Sequence, residues 1–198
     1  MKSLAIEREF GSGGREIGTC IAKRADLPYY DSNLLFHAAE GQGLPVGKLQ
    51  DYDEKWTGSL LYNIAMLTNY TQGADQNSIY EIYHSIQQTI LKIEMNGPAV
   101  FIGRCATEIL KCRPQVVRAY IYSSDEQQKI RRIMDKENLS ETEAKRLMEK
   151  TDRNRKNYFK FWTQKEWADR KNYDIELNTG KLSIDECADI LLRNMDEV

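Results

Sequence analysis

Residues 4 to 18, Leu-Ala-Ile-Glu-Arg-Glu-Phe-Gly-Ser-Gly-Gly-Arg-Glu-Ile-Gly, constrain the fold more than any other stretch of the chain. A short apolar run leads into a glycine-rich turn, and the turn opens onto a helical pattern. Gly11, Gly13 and Gly14 lack Cβ, so the backbone there can take positive φ and bring its N–H groups close to an anion. A helix N-terminus just beyond adds unpaired N–H donors and the positive end of a dipole. Arg15 adds a full positive charge. The layout suits a phosphate-binding loop in which Gly11, Ser12, Gly13, Gly14, Arg15 and Glu16 form the cradle. It departs from the pattern Gly-x4-Gly-Lys-Ser/Thr. With Gly14-Arg15-Glu16 set on the Gly-Lys-Ser/Thr positions, the first glycine falls on Glu9, Arg replaces Lys, and Glu replaces the hydroxyl that holds Mg²⁺. A strand-to-helix turn that needs glycines for geometry alone fits the same residues, so the rest of the chain has to decide.

The chain has 198 residues, enough for one domain (1–198) with a sizeable core. Its net charge is −2, so no global basic field draws it to nucleic acid. No apolar run reaches the length of a membrane span, and the start of the chain shows no secretion signal. The four cysteines, Cys20, Cys105, Cys112 and Cys187, have no metal-binding spacing and no Cys-x-x-Cys pair. They read as small apolar residues in a reducing cytoplasm.

Strand and helix patterns alternate. Ser3–Arg8 reads as a strand, and Ile17, Cys20 and Ile21 follow at helical spacing. Residues 27–31 read as a second strand ending at Asp31. Ile79, Ile82, Ile86, Ile90 and Ile93 step by three and four along one face of a long helix, which Asn96-Gly97-Pro98 stops. Residues 99–103 and 116–122 are continuous apolar runs, as strands buried on both faces should be. Ser124 with Gln127, Ser140 with Glu143, and Ser183 with Glu186 carry helix-capping signals. Residues 172–177 read as a last strand before the terminal helix. Alternation of this kind predicts an α/β fold of three layers, a mainly parallel sheet with helices on both faces. Ligands of such sheets bind at the carboxyl ends of the strands, where Gly11–Arg15, Asp31, Gly103-Arg104 and Asn178-Thr179 fall.

Taken in order, these pieces resemble the cytidylate kinase-like family of P-loop phosphotransferases. The resemblance rests on the run at 8–18, Pro28-Tyr29-Tyr30-Asp31, Phe101-Ile102-Gly103-Arg104 with Ala106, Asp152-Arg153-x-Arg155-x-x-Tyr158, and Asn172-Tyr173-Asp174 with Asn178-Thr179. It implies a P-loop kinase-like fold with a helical lid at 150–171 and an acceptor-side helical insertion at 41–75. It implies ATP held with Mg²⁺ at Ser12–Glu16, and a small acceptor, most simply a nucleoside monophosphate. Asp31, His37 and Arg104 are then the acceptor-side residues, Glu16 and Asp31 the metal ligands, and Arg15, Arg153 and Arg155 the catalytic cations. The chain departs from cytidylate kinases at Cys105, where an Asp follows the arginine, at His37, where an Arg would contact acceptor phosphate, and at Glu16.

The chemistry fits these residue types. Phosphoryl transfer asks for positioning and charge neutralisation rather than covalent help, and guanidinium groups bind phosphate through two N–H groups at once. Other roles fit some of the same residues. Asp31 can cap the following helix, and Glu16 can pair with Arg15 or Lys23 in place of a metal. The basic and aromatic segment 145–171 suits a solvated helix over core as well as a lid or a nucleic-acid surface, and net charge argues against the last. A nucleotide-binding sensor of the same fold, weak or inactive in transfer, is the alternative that the altered loop favours.

Overall fold

The computed structural model describes residues 1–31 and 76–196. The expected insertion at 41–75 and His37 lie outside the described residues. Five parallel strands form one sheet in the order β2-β3-β1-β4-β5: β1 Ser3–Arg8, β2 Tyr29–Tyr30, β3 Val100–Ile102, β4 Val116–Tyr122 and β5 Ile175–Asn178. The central strand, β1, pairs Ile6 with Ile102 on one side and with Ala119 on the other.

Side chains alternate across the strands and make two cores. Leu4, Ile6, Val100, Ile102, Ala119 and Ile121 face α1 (Gly14–Arg24) and α6 (Ile184–Asp196), whose Ile17, Ile21, Ala188 and Leu191 cover them. Ala5, Phe101 and Tyr120 face α2 (Gln76–Asn96) and α5 (Glu141–Thr163), meeting Ile86, Ile90, Tyr158 and Phe159. Ile93 packs beside this second core, and the short helix α3 (Ala106–Ile109) adds Ala106 to it. The described side chains do not extend to Ile79 and Ile82. A third cluster joins α4 (Glu126–Glu137) to α5 through Ile130, Ile133, Ala144 and Met148, and Phe10 of the glycine turn packs against it.

The segment expected as a lid at 150–171 starts inside α5, which begins at Glu141 and packs against α4. That segment also serves the core, because three of its aromatic residues turn inward: Tyr158, Phe159 and Trp167 are buried, while Phe161 stays exposed.

Two local readings shift. The cap of α4 is Asp125, whose carboxylate accepts from Gln128 N at 2.9 Å. Ser124 is bonded instead to Asn178, which ties the end of β5 to the end of β4. The last strand starts at Ile175, because Asp169 caps a short 3-10 turn over Arg170–Asn172. The capping box at Ser140 and Glu143 is present, and Ser183 and Glu186 exchange the same bonds. The four cysteines are free.

Candidate active site

Two cavities open at the carboxyl end of the sheet. The first, about 120 Å³, lies against the glycine turn. Gly11, Gly13, Gly14, Arg15 and Glu16 line it from below, Arg132 and Lys136 of α4 from above, and Arg8 and Arg155 from the side. Gly13 sits at the N-cap of α1 with φ 85°, a left-handed conformation that suits glycine, and no side chain caps the helix. The first N–H groups of α1 are thus offered to the cavity, with the dipole favouring an anion. Ser12 does not face this space. It is fully buried, its hydroxyl donates to Glu9 O at 2.8 Å, and its own carbonyl accepts from Thr179 Oγ1 at 2.7 Å. Ser12 therefore fixes the shape of the turn. Glu9, at the place of the missing first glycine, points toward α4 and accepts from Lys129 Nζ at 2.9 Å.

The second cavity, about 60 Å³, lies between the ends of β1 and β3 and helix α5. Glu7, Arg8, Arg104, Cys105, Arg155 and Tyr158 line it. Gly103, Arg104 and Cys105 take positive φ in succession, 74°, 56° and 56°. Two consecutive non-glycine residues in that region cost on the order of 1–2 kcal/mol each, and such strain collects at functional sites. Here it turns Arg104 over the ring of Tyr158, 5.8 Å from its centroid.

Arg8 and Arg155 line both cavities. Arg155 Nη1 donates to Arg8 O at 2.9 Å, and its guanidinium lies over the Phe10 ring at 5.4 Å. Burial and then the Arg8 charge lower Arg155 to about 9, so it stays charged at neutral pH. Burial also lowers Arg8, Glu7 pulls it back up, and Arg104 and Arg15 lower it further. Like charges are crowded in a poorly hydrated place, and an anion would relieve them.

The two carboxylates expected to hold Mg²⁺ face cations. Asp31, buried, bonds the Arg15 guanidinium. Glu16 accepts from Lys136 Nζ at 2.9 Å; burial raises its carboxyl, but Lys136 outweighs it and holds the group below its ordinary value. No group of three or more candidate ligands stands together among the described residues. As arranged, these residues fit a metal poorly, although Mg²⁺ can also reach such a site on the phosphates themselves.

A glycine turn at a helix N-terminus and a cluster of arginines thus stand at the carboxyl end of one parallel sheet. Residues 3–181 match the cytidylate kinase-like family. The chain belongs to that family. A crystal structure of an uncharacterized protein from Eubacterium ventriosum is similar at a TM-score of 0.75 with 28% identity, covering 100% of both chains. The shikimate kinase of Bacteroides thetaiotaomicron superposes at 0.55 with 12% identity over 99% of each chain. A gluconokinase of Sinorhizobium meliloti does so at 0.54 with 11% identity, over 98% of this chain and 94% of its own. These last two show the fold alone, that of P-loop kinases. No curated protein matches the chain. Family and fold together make it a phosphotransferase of the P-loop kinase type. No helix among the described residues is long and apolar enough to cross a membrane.

Of the residues singled out in the sequence, Gly11, Gly13, Gly14, Arg15, Glu16, Arg104 and Arg155 line a cavity. Asp31 acts on the site through Arg15. Arg153 is exposed on α5 and lines neither cavity, although Arg155 stands only two residues further along the same helix. Arg8, Glu7, Arg132 and Lys136 were not legible as site residues. Arg8 and Glu7 read as the end of a strand. Arg132 and Lys136 carried a signal, cations four apart on one helix face, which only the packing of α4 over the turn makes meaningful.

Proposed function

We propose that the protein transfers the γ-phosphoryl group of ATP to a small anionic acceptor. The glycine turn and Arg15 hold the donor phosphates, with Arg132 and Lys136 closing over them. The acceptor occupies the second cavity, its anionic group on Arg104. Arg8 and Arg155 stand where the two cavities meet and neutralise the oxygens of the group in transit. Guanidinium groups fixed beforehand at the junction bind the transferring phosphoryl more strongly than either resting end state. Mg²⁺, carried on the ATP phosphates, would shield the same charge. The observation that carries the reading is that Arg8 and Arg155 belong to both cavities.

The family resemblance makes nucleoside monophosphates the first acceptors to try. The test is transfer of label from γ-labelled ATP across a panel of these and of small hydroxy acids, beside direct measurement of ATP binding. Labelled product with any acceptor supports the reading. A protein that does not bind ATP at the glycine turn overturns it. The pairing of Glu16 with Lys136 and of Arg15 with Asp31 favours a second reading, a nucleotide sensor, which predicts ATP binding without labelled product.

A further inference from the structure

A carboxylate is out of place in a pocket built to take an anion. Glu7 lines the second cavity together with Arg8, Arg104 and Arg155, and it is 4% exposed. Its negative charge opposes any phosphate bound there, and burying it costs more than burying a neutral residue would. The structure nevertheless fixes it firmly. Trp167 Nε1 donates to Glu7 Oε2 at 3.2 Å, and the backbone N–H of Cys105 also donates to the carboxylate. With both contacts made Glu7 still lines the second cavity, and Arg8, the next residue along β1, lines the first as well.

We propose that the acceptor attacks through a hydroxyl group and that Glu7 takes its proton. This rests on the reading that ATP occupies the glycine turn. The two kinds of acceptor differ in what they need. A phosphate monoester has a second pKa of about 6 and is ionised at neutral pH, so its oxygen attacks without a base. An alcohol has no such charge and gains from a positioned base. In the step, the hydroxyl proton passes to a Glu7 carboxylate oxygen and the acceptor oxygen forms its bond to the γ-phosphorus. The bond from that phosphorus to the β,γ-bridging oxygen breaks, and the electron pair leaves on ADP. Glu7 then releases the proton to solvent. The acceptor's own anionic group serves for recognition by Arg104.

The groups that face Glu7 are Arg8 on β1, Tyr83 on α2, Cys105 after β3, Tyr120 on β4, Arg155 on α5 and Tyr173 before β5. Burial holds the tyrosines and the cysteine neutral, leaving Glu7 and the arginines as the charges of the pocket. Burial raises Glu7 above the usual carboxylate range while Arg8, the Trp167 N–H and Arg155 restrain it, which brings a base nearer to its working pH.

The experiment compares wild type with Glu7→Gln and Trp167→Phe. ATP binding is measured first by calorimetry. Transfer is then assayed with nucleoside monophosphates, nucleosides, gluconate and shikimate, and the product is sorted by acid stability, since a phosphoester survives where a phosphoanhydride does not. The expected product is a phosphoester. Glu7→Gln should bind ATP within twofold of wild type and lose at least a hundredfold in turnover. Wild type should lose kcat/KM on the acid side with a slope of one, a limb that Glu7→Gln lacks. Trp167→Phe should keep that limb but move it to higher pH, because a donor to the ionised form is gone. A phosphoanhydride as the sole product, or Glu7→Gln retaining transfer within a few-fold, overturns the proposal. So does ATP binding with no labelled product from any of these acceptors. Absence of ATP binding instead defeats the phosphotransferase reading on which the proposal rests.

Discussion

The Arg8 guanidinium occupies the space where a side chain at position 103 would begin. A Cβ placed on Gly103 would overlap Arg8 Nη1 and lie 3.2 Å from its Cζ. Gly103 also has φ 74°, where a side chain is strained whatever the space. A glycine thus follows strand β3 for two reasons, and the first is the arginine shared by the two cavities. Gly103→Ala should cost on the order of 1–2 kcal/mol in urea unfolding from backbone conformation alone. It should lower turnover as well, by displacing Arg8 from the junction. Wild-type turnover in this variant would mean that Arg8 has no part in the transfer.

Arg153 and Arg155 are two residues apart on α5 and should behave differently. Arg155 lines both cavities, whereas Arg153 is exposed and lines neither. A charged hydrogen bond to phosphate is worth on the order of 1.5–3 kcal/mol, so Arg155→Ala should lose more than tenfold in turnover. Arg155→Lys should recover only part of this, since a point charge lacks the two-pronged geometry. Arg153→Ala should stay within about twofold. Steady-state kinetics on the three variants decides it, and equal losses for both alanine variants would return Arg153 to the site.

Crowded guanidinium groups imply a protein that gains stability from its ligand. ATP at a hundredfold excess over its dissociation constant should add about 2.7 kcal/mol. For a chain of this size that corresponds to a rise of roughly 5–10 °C in Tm. Arg8→Met keeps most of the buried stem and removes the charge that lowers Arg155. Without ligand this variant should be no less stable than wild type, while its gain from ATP shrinks. A variant that is less stable alone yet gains as much from ATP would place the arginine's value in structure instead of binding.

An element or a site residue was legible in the sequence where its deciding interactions were local. Strands β1 and β4 were legible to the residue, because an apolar run bounded by breakers needs no partner to be recognised. The turn at 11–16 and the box at Ser140 were legible for the same reason. The cap of α4 was not, because Asn178, from a strand far along the chain, claims Ser124 and leaves Asp125 to cap. The site divided along the same line. Arg15 and Arg104 follow strands and could be placed, but the value of Arg8 depends on Gly103 leaving room for it. Glu16 shows the limit most clearly: the sequence offered a metal, Arg15 or Lys23 as its partner, and the structure supplies Lys136, from a helix more than a hundred residues away.

Asp152 gives the fold a pH dependence of unusual sign. Its carboxylate accepts from Phe10 N at 2.7 Å and lies 3.9 Å from Arg155, so it ties α5 to the start of the glycine turn. Burial raises it from 3.8 to about 6, although Arg155 and the Phe10 N–H pull the other way. The folded state therefore holds a proton that the unfolded chain has released between those two values. Across that window the folded state binds more protons, so this group's contribution to stability falls as pH rises, and above about 6 its full cost is present. That cost is on the order of 3 kcal/mol. Asp152→Asn can still accept from Phe10 N and carries no buried charge. It should be more stable than wild type at pH 7.5, with the difference shrinking toward pH 4 as the wild-type carboxyl takes up its proton. Urea unfolding of both proteins at the two pH values is the measurement. If Asp152→Asn is the less stable of the two at pH 7.5, the ion pair with Arg155 outweighs the desolvation of Asp152, and the carboxylate stabilises the turn as a charged group.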